Sequence, residues 1–234
     1  MPRSTGAFHP TGAPHPTSPE GEGAHAGQGH EARGAADADV LTNPDNTAIG
    51  ASSFGSDPAL VSKMVTAEDK AMLPTGVLPC AKHFPGHGDT AADSHTGKAV
   101  STHTLDELEV CEYKPFRAAI AAGVPMVMVG HIKTPNAAAD DLPASLSPFV
   151  IGKTLHDELG FDGVIISNSF SMGTVTQYFG PARAAVRFLA AGGGMVLMSE
   201  SLSDAVSGGT LSSDRIDESC LRILKAKQAV GLLG

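Results

Sequence analysis

From Asp37 to the C-terminus, short apolar runs alternate with longer amphipathic stretches. Residues 38–41, 77–82, 125–131, 163–167 and 194–198 predict strands. Residues 58–72, 105–122, 147–159, 182–191 and 213–232 predict helices. Several strand runs are apolar throughout, the pattern of parallel strands buried on both faces. Strand and helix in strict alternation imply right-handed βαβ units and an α/β fold. The last helix starts well, with Ser212 or Ser213 as cap, Asp214 in its first turn, and Lys225 and Lys227 late.

Residues 1–36 break this pattern. They are rich in Gly, Pro, His, Ala and Ser and nearly devoid of large aliphatics. Such a stretch buries too little apolar surface to offset the entropy of ordering, so a disordered tail is expected. Its histidines His9, His15, His25 and His30 read as incidental composition of the tail, not as a metal site. Residues 37–234 are then expected to form the folded unit.

Polar residues gather just past the strand ends. Lys82 and His83 end one run, His131 another and Asn168 a third, and Ser199 and Glu200 follow a fourth. In an α/β barrel such groups converge on one mouth, where active sites sit.

Charge and cysteine content narrow the function. The net charge of −9 argues against a nucleic-acid partner. No apolar run approaches the ~20 residues that span a bilayer, and no signal-peptide pattern opens the chain, so no membrane partner and a cytoplasmic location are expected. Cys80, Cys111 and Cys220 are too few and too scattered for a disulfide framework or a zinc motif, which suits a reducing compartment.

The most informative run starts at Lys82 and reads KHFPGHGDTAADSH. Gly86 and Gly88 allow a tight turn and Pro85 restricts it. Lys82 and His83 offer a cation and a donor for sugar hydroxyls. Asp93 and His95, one residue apart, fall on the same side of an extended loop. A carboxylate beside an imidazole raises its basicity and fixes its tautomer, as an acid/base histidine requires. His83 and His87 are four apart, but the Gly and Pro between and around them exclude a helix that presents both to a metal. No metal is expected.

This run resembles the signature of the β-N-acetylglucosaminidases of glycoside hydrolase family 3. The segments ADVLTNPDN, SFGSDP, GHI, PASLSP, LGFDGVIIS and RIDESCLRILKAKQAVGLL resemble that family in the same order, over nearly all of residues 37–234. The resemblance implies a (β/α) barrel of TIM type and a retaining hydrolysis of terminal β-linked N-acetylglucosamine or a related sugar. It implies His95 as general acid/base with Asp93 as its partner. It also implies Lys82, His83 and His131 as sugar contacts, a carbohydrate substrate and no cofactor.

The sequence departs from the family in four places. The family's nucleophilic aspartate follows the GVIxS strand directly, and Asn168 stands there. Ser52 stands where the family carries an arginine that helps to bind the sugar. Gly194 stands in place of an aspartate, the least consequential of the four. Only residues 1–36 precede the ADVLTNP strand, where the family has its first barrel strands. Five strand runs against the eight of a closed barrel predict a partial, N-terminally truncated barrel. Its open edges are expected to invite self-association. An impaired or inactive enzyme is expected, or a sugar-binding or interaction remnant without turnover.

Overall fold

The computed structural model describes residues 35–90, 99–176, 179–198 and 203–233. The tail expected over residues 1–36 therefore falls almost wholly outside the described residues. Asp93, His95, Ser199 and Glu200 also lie outside them.

Four parallel strands form the central sheet: β1 (Ala35–Asp37), β2 (Cys80–Phe84), β3 (Met126–Val129) and β4 (Val164–Ser167). They lie side by side in chain order. Helices join them: α1 (Pro58–Met72) links β1 to β2, and α2 (Leu105–Val110) with α3 (Tyr113–Ala121) links β2 to β3. Then α4 (Phe149–Glu158) links β3 to β4, and α5 (Pro181–Ala190) and α6 (Ser213–Ala229) complete the described helices of eight residues or more. This is the βαβ arrangement of a partial barrel.

The register explains which side chains face which way. Ala35, Cys80, Met126 and Val164 are level across the sheet, and Asp37, Lys82, Met128 and Ile166 form the next level. Side chains two apart in a strand share a face, so these two levels line one side. Ala226 of α6 packs against its apolar part, with Cys80, Met126, Met128, Val164 and Ile166. The opposite face holds Ala81, Val127, Val129 and Ile165, which pack under Val65 of α1, Phe116 of α3, Leu155 of α4 and Phe188 of α5.

Three strands sit away from their expected positions. The run at 38–41 is extended but leaves the ladder, and β1 precedes it and straddles the expected boundary at residue 37. The cause is Asp37, whose Oδ1 accepts the Asp39 amide at 3.0 Å and withdraws it from sheet pairing. β2 starts later than predicted and runs on to Phe84. The run at 194–198 contributes a single bridge from Met195 to Ile166, beyond which the Leu197 amide is taken by the Ser167 hydroxyl.

The helix expected over 105–122 is broken at Cys111 and Glu112. Pro115 has no amide to offer the Cys111 carbonyl, and its ring collides with that carbonyl in a continuous helix. A capping box closes α2, with the Thr104 side chain and amide exchanging bonds with Glu107. α1 spans its predicted residues, capped by Asp57 with Pro58 at its first position. No helix among the described residues is long and apolar enough to cross a membrane.

Candidate active site

The run from Lys82 to Asp89 begins in β2 and turns over the C-terminal end of the sheet. Between Lys82 and Phe84 the register with β3 shifts by one, so His83 is the bulged residue. A bulge re-aims a side chain at a strand end. Lys82 stays on the inner level beside Asp37, its partner in register. The Lys82–His83 and Phe84–Pro85 peptide bonds are cis.

A single buried carboxylate organises the turn. Asp39 is fully buried. Its Oδ2 lies 2.8 Å from His83 Nδ1, its Oδ1 accepts the His87 amide at 2.6 Å, and the His83 amide points between both oxygens at 3.2 Å. Burial pushes the Asp39 carboxyl above its ordinary value, while the His87 and His83 donors pull it back down. The sequence reading missed Asp39. Its signal was an acid in an otherwise apolar run, where an unpaired charge is too costly to bury.

The loop after β1 binds the same turn from the side. Asn46 donates to the His87 carbonyl at 2.6 Å, the Asn43 amide donates to the Gly88 carbonyl at 3.1 Å, and the Asn43 side chain donates to the Asp89 carbonyl at 3.3 Å. The two chains approach so closely that a Cβ on Gly88 would lie 1.9 Å from the Val40 carbonyl oxygen. Only glycine fits there. His87 is buried with Nδ1 on the Thr90 hydroxyl at 2.6 Å, which makes it part of the turn's frame.

Asn168 follows β4, and its amide donates to the Val129 carbonyl at 3.0 Å. The side-chain Oδ1 accepts the neighbouring Ser169 amide at 2.7 Å. His131, expected as a sugar contact, follows β3. It is fully buried, with Nδ1 on the Ser145 hydroxyl at 2.7 Å and Nε2 on the Ser169 carbonyl at 2.9 Å. Both ring nitrogens are thus engaged by protein, and His131 braces the Ser169 carbonyl next to Asn168. It stacks on Phe170 with centroids 5.4 Å apart.

Beside this mouth a cleft of about 490 Å³ is lined by Asp37, Ser52, Glu68 and Lys82, among others. Ser52 Oγ lies 2.5 Å from Asp37 Oδ2 and 2.8 Å from the Ile49 carbonyl. Burial, and next the charge of Asp39, raise the Asp37 carboxyl to about 6. The structure thus brings Lys82, His83 and Asn168 to the C-terminal ends of β2 and β4, with β3 between them.

Residues 33–226 match the family described as the glycosyl hydrolase family 3 N terminal domain. This chain belongs to that family. It is similar to beta-hexosaminidase A of Pseudoalteromonas piscicida, at 32% identity over 81% of this chain and 36% of that protein. Beta-hexosaminidase LpqI of Mycobacterium tuberculosis is 36% identical, over 81% of this chain and 52% of that protein. Among solved structures, a family 3 beta-N-acetylglucosaminidase from Paenibacillus sp. superposes with a TM-score of 0.81 at 35% identity, covering 86% of this chain and 40% of that one. The family 3 chain described here therefore spans about a third to a half of the length of these relatives. The partial barrel is the fold that this membership implies, and the strand-end residues occupy the mouth at which such barrels act.

Proposed function

We propose that this chain is the substrate-binding barrel portion of a β-N-acetylglucosaminidase-type hydrolase that acts slowly or not at all with an amide at position 168. The observation that carries the reading is the Lys82–Asp89 turn, fastened to Asp39 at the same end of the sheet as Asn168, with β3 between them. Relatives that carry hexosaminidase names share this region, which supports a glycan ending in β-linked N-acetylglucosamine as the ligand.

In this reading Lys82 and His83 hold the sugar. Asp39 fixes the orientation of the His83 ring through Nδ1. His95, partnered by Asp93, protonates the leaving oxygen and later deprotonates water. In the retaining mechanism a carboxylate at position 168 attacks the anomeric carbon and forms a glycosyl-enzyme. Asn168 lacks that charge, and its Oδ1 already accepts the Ser169 amide. Its NH₂ is the end left to meet a sugar hydroxyl, which favours binding over turnover. That is the second reading, a sugar-binding remnant. A cytoplasmic location and self-association through the β1 edge belong to the same proposal, open to fractionation and to sedimentation at several concentrations.

Asn168→Asp tests it. Hydrolysis of an aryl β-N-acetylglucosaminide should rise by at least about 10³-fold, the scale of restoring a lost nucleophile. A folded Asn168→Asp protein that binds N-acetylglucosamine and releases no product would leave only the binding reading. One that neither binds nor hydrolyses would sink both.

A further inference from the structure

Behind the turn lies a second group of charged residues that the glycosidase reading does not use. Asp89 ends the turn, His103 precedes α2, and Glu112 sits at the break between α2 and α3. One ligand atom from each lies within 4.8 Å of the other two. The Glu112 side chain is fully buried, and neither of its carboxylate oxygens has a hydrogen-bond donor. His103 Nδ1 is 3.3 Å from Glu112 Oε2 and 3.8 Å from Asp89 Oδ2, yet it makes no hydrogen bond. Ser101 donates to Asp89 Oδ2 at 2.8 Å, which orients that carboxylate and leaves its buried Oδ1 unpartnered.

A buried carboxylate and a largely covered one facing one imidazole carry excess negative charge, and burying unpaired charge is costly. A divalent cation among them cancels that charge and supplies every unpartnered atom with a bond. Zinc bonds of about 2.0–2.1 Å place tetrahedral ligands about 3.3 Å apart, the scale of these separations. The fixed Ser101–Asp89 bond is the kind of outer contact that orients a metal-binding carboxylate. We propose that Asp89, His103 and Glu112 form a structural site for a divalent transition-metal cation of the zinc type. The fourth position falls to solvent on the side of His103, the most exposed of the three side chains at 28%.

The site ties together three separate pieces of the chain. Glu112 backs directly on the turn, since a Cβ on Gly86 would lie 2.4 Å from its Cγ. Asp89 is the last charged residue before the segment that carries Asp93 and His95. A cation here acts as a rivet behind the mouth and takes no part in glycoside chemistry.

The test uses the full chain with His9→Gln, His15→Gln, His25→Gln and His30→Gln, so that the N-terminal histidines cannot compete. After chelator treatment and dialysis, zinc chloride is titrated by calorimetry and bound zinc is counted by mass spectrometry. The expected result is one zinc per chain and a rise in melting temperature. Glu112→Gln and His103→Gln should each weaken zinc binding at least tenfold, while Asp93→Asn with His95→Gln leaves it unchanged. X-ray absorption of the zinc-loaded parent checks the ligands without any cluster variant, and should show an oxygen and nitrogen shell that includes one imidazole. A folded parent that binds no zinc, a sulfur ligand in that shell, or equal affinity in Glu112→Gln would overturn the site. So would loss of binding in the Asp93 and His95 variant alone.

Discussion

The Oδ2 of Asp39 lies 2.8 Å from Nδ1 of His83, and the same carboxylate accepts the His87 amide through Oδ1 at 2.6 Å. One buried group thereby sets both ends of the turn over the barrel mouth. Replacing Asp39 by Ala strands the His83 and His87 amides and the His83 ring in the interior. Each orphaned buried donor costs about 1–3 kcal/mol. Asp39→Ala should therefore lose at least about 3 kcal/mol of stability in urea unfolding, with the m-value unchanged. A loss under about 1 kcal/mol would mean that the turn is held elsewhere.

The same crowding makes Gly88 irreplaceable. A Cβ there would lie 1.9 Å from the Val40 carbonyl oxygen, and backbone cannot step aside as a side chain can. Gly160 serves as the comparison. It also turns the chain, at φ +69°, but no atom lies within 4 Å of an added Cβ. Gly88→Ala should cost more than about 3 kcal/mol, the range of severe overpacking, and Gly160→Ala about 1 kcal/mol. Thermal melts of the two variants should rank them in that order, and equal shifts would refute the close approach.

What the sequence revealed, and what it hid, follows from the range of each interaction. The helix at α1 was legible because its cap, Asp57, and its first residue, Pro58, are local signals. The parallel strands were legible as apolar runs. The shift of β1 was not, because it depends on a side-chain bond from Asp37 to the Asp39 amide that competes with the ladder. Pro115 was in plain view, yet its consequence, a break that turns Glu112 inward, needs the neighbouring elements to be in place. Lys82, His83 and Asn168 were expected at strand ends, and the strands do end there. His131 occupies the same kind of place, but only the fold reveals that Ser145 and Ser169 take both its nitrogens.

Asp69 predicts a pH dependence of stability. It is buried in α1 with no hydrogen-bond donor to either carboxylate oxygen. Burial, and next the charge of Glu68, raise its carboxyl from 3.8 to about 7. The folded state thus holds this proton more tightly than the unfolded chain does. Stability from this group is full below about pH 4, falls as pH rises through about 7, and levels off above. Asp69→Asn removes the ionisation, so the variant should exceed the parent at pH 8 by about 1–3 kcal/mol and lose the decline between pH 4 and 7. Parallel stability curves for the two proteins would show that Asp69 ionises without penalty.

Ser52 offers a way to separate binding from chemistry. Its hydroxyl lies 2.5 Å from Asp37 Oδ2 at the rim of a cleft of about 490 Å³, so a longer side chain has room beside that carboxylate. Ser52→Arg places a guanidinium within reach of Asp37, and an adjacent positive charge favours the ionised carboxyl. The Asp37 carboxyl, now at about 6, should fall by one unit or more, as followed by carbon-13 NMR of its carboxyl. In an Asn168→Asp background the added cation should lower KM for an aryl β-N-acetylglucosaminide by about tenfold, the worth of one charge-assisted hydrogen bond, and leave kcat nearly unchanged. A fall in the Asp37 pKa with no change in KM would place the cleft outside the sugar site. A change in kcat alone would mean that position 52 acts on the reacting centre and not on binding.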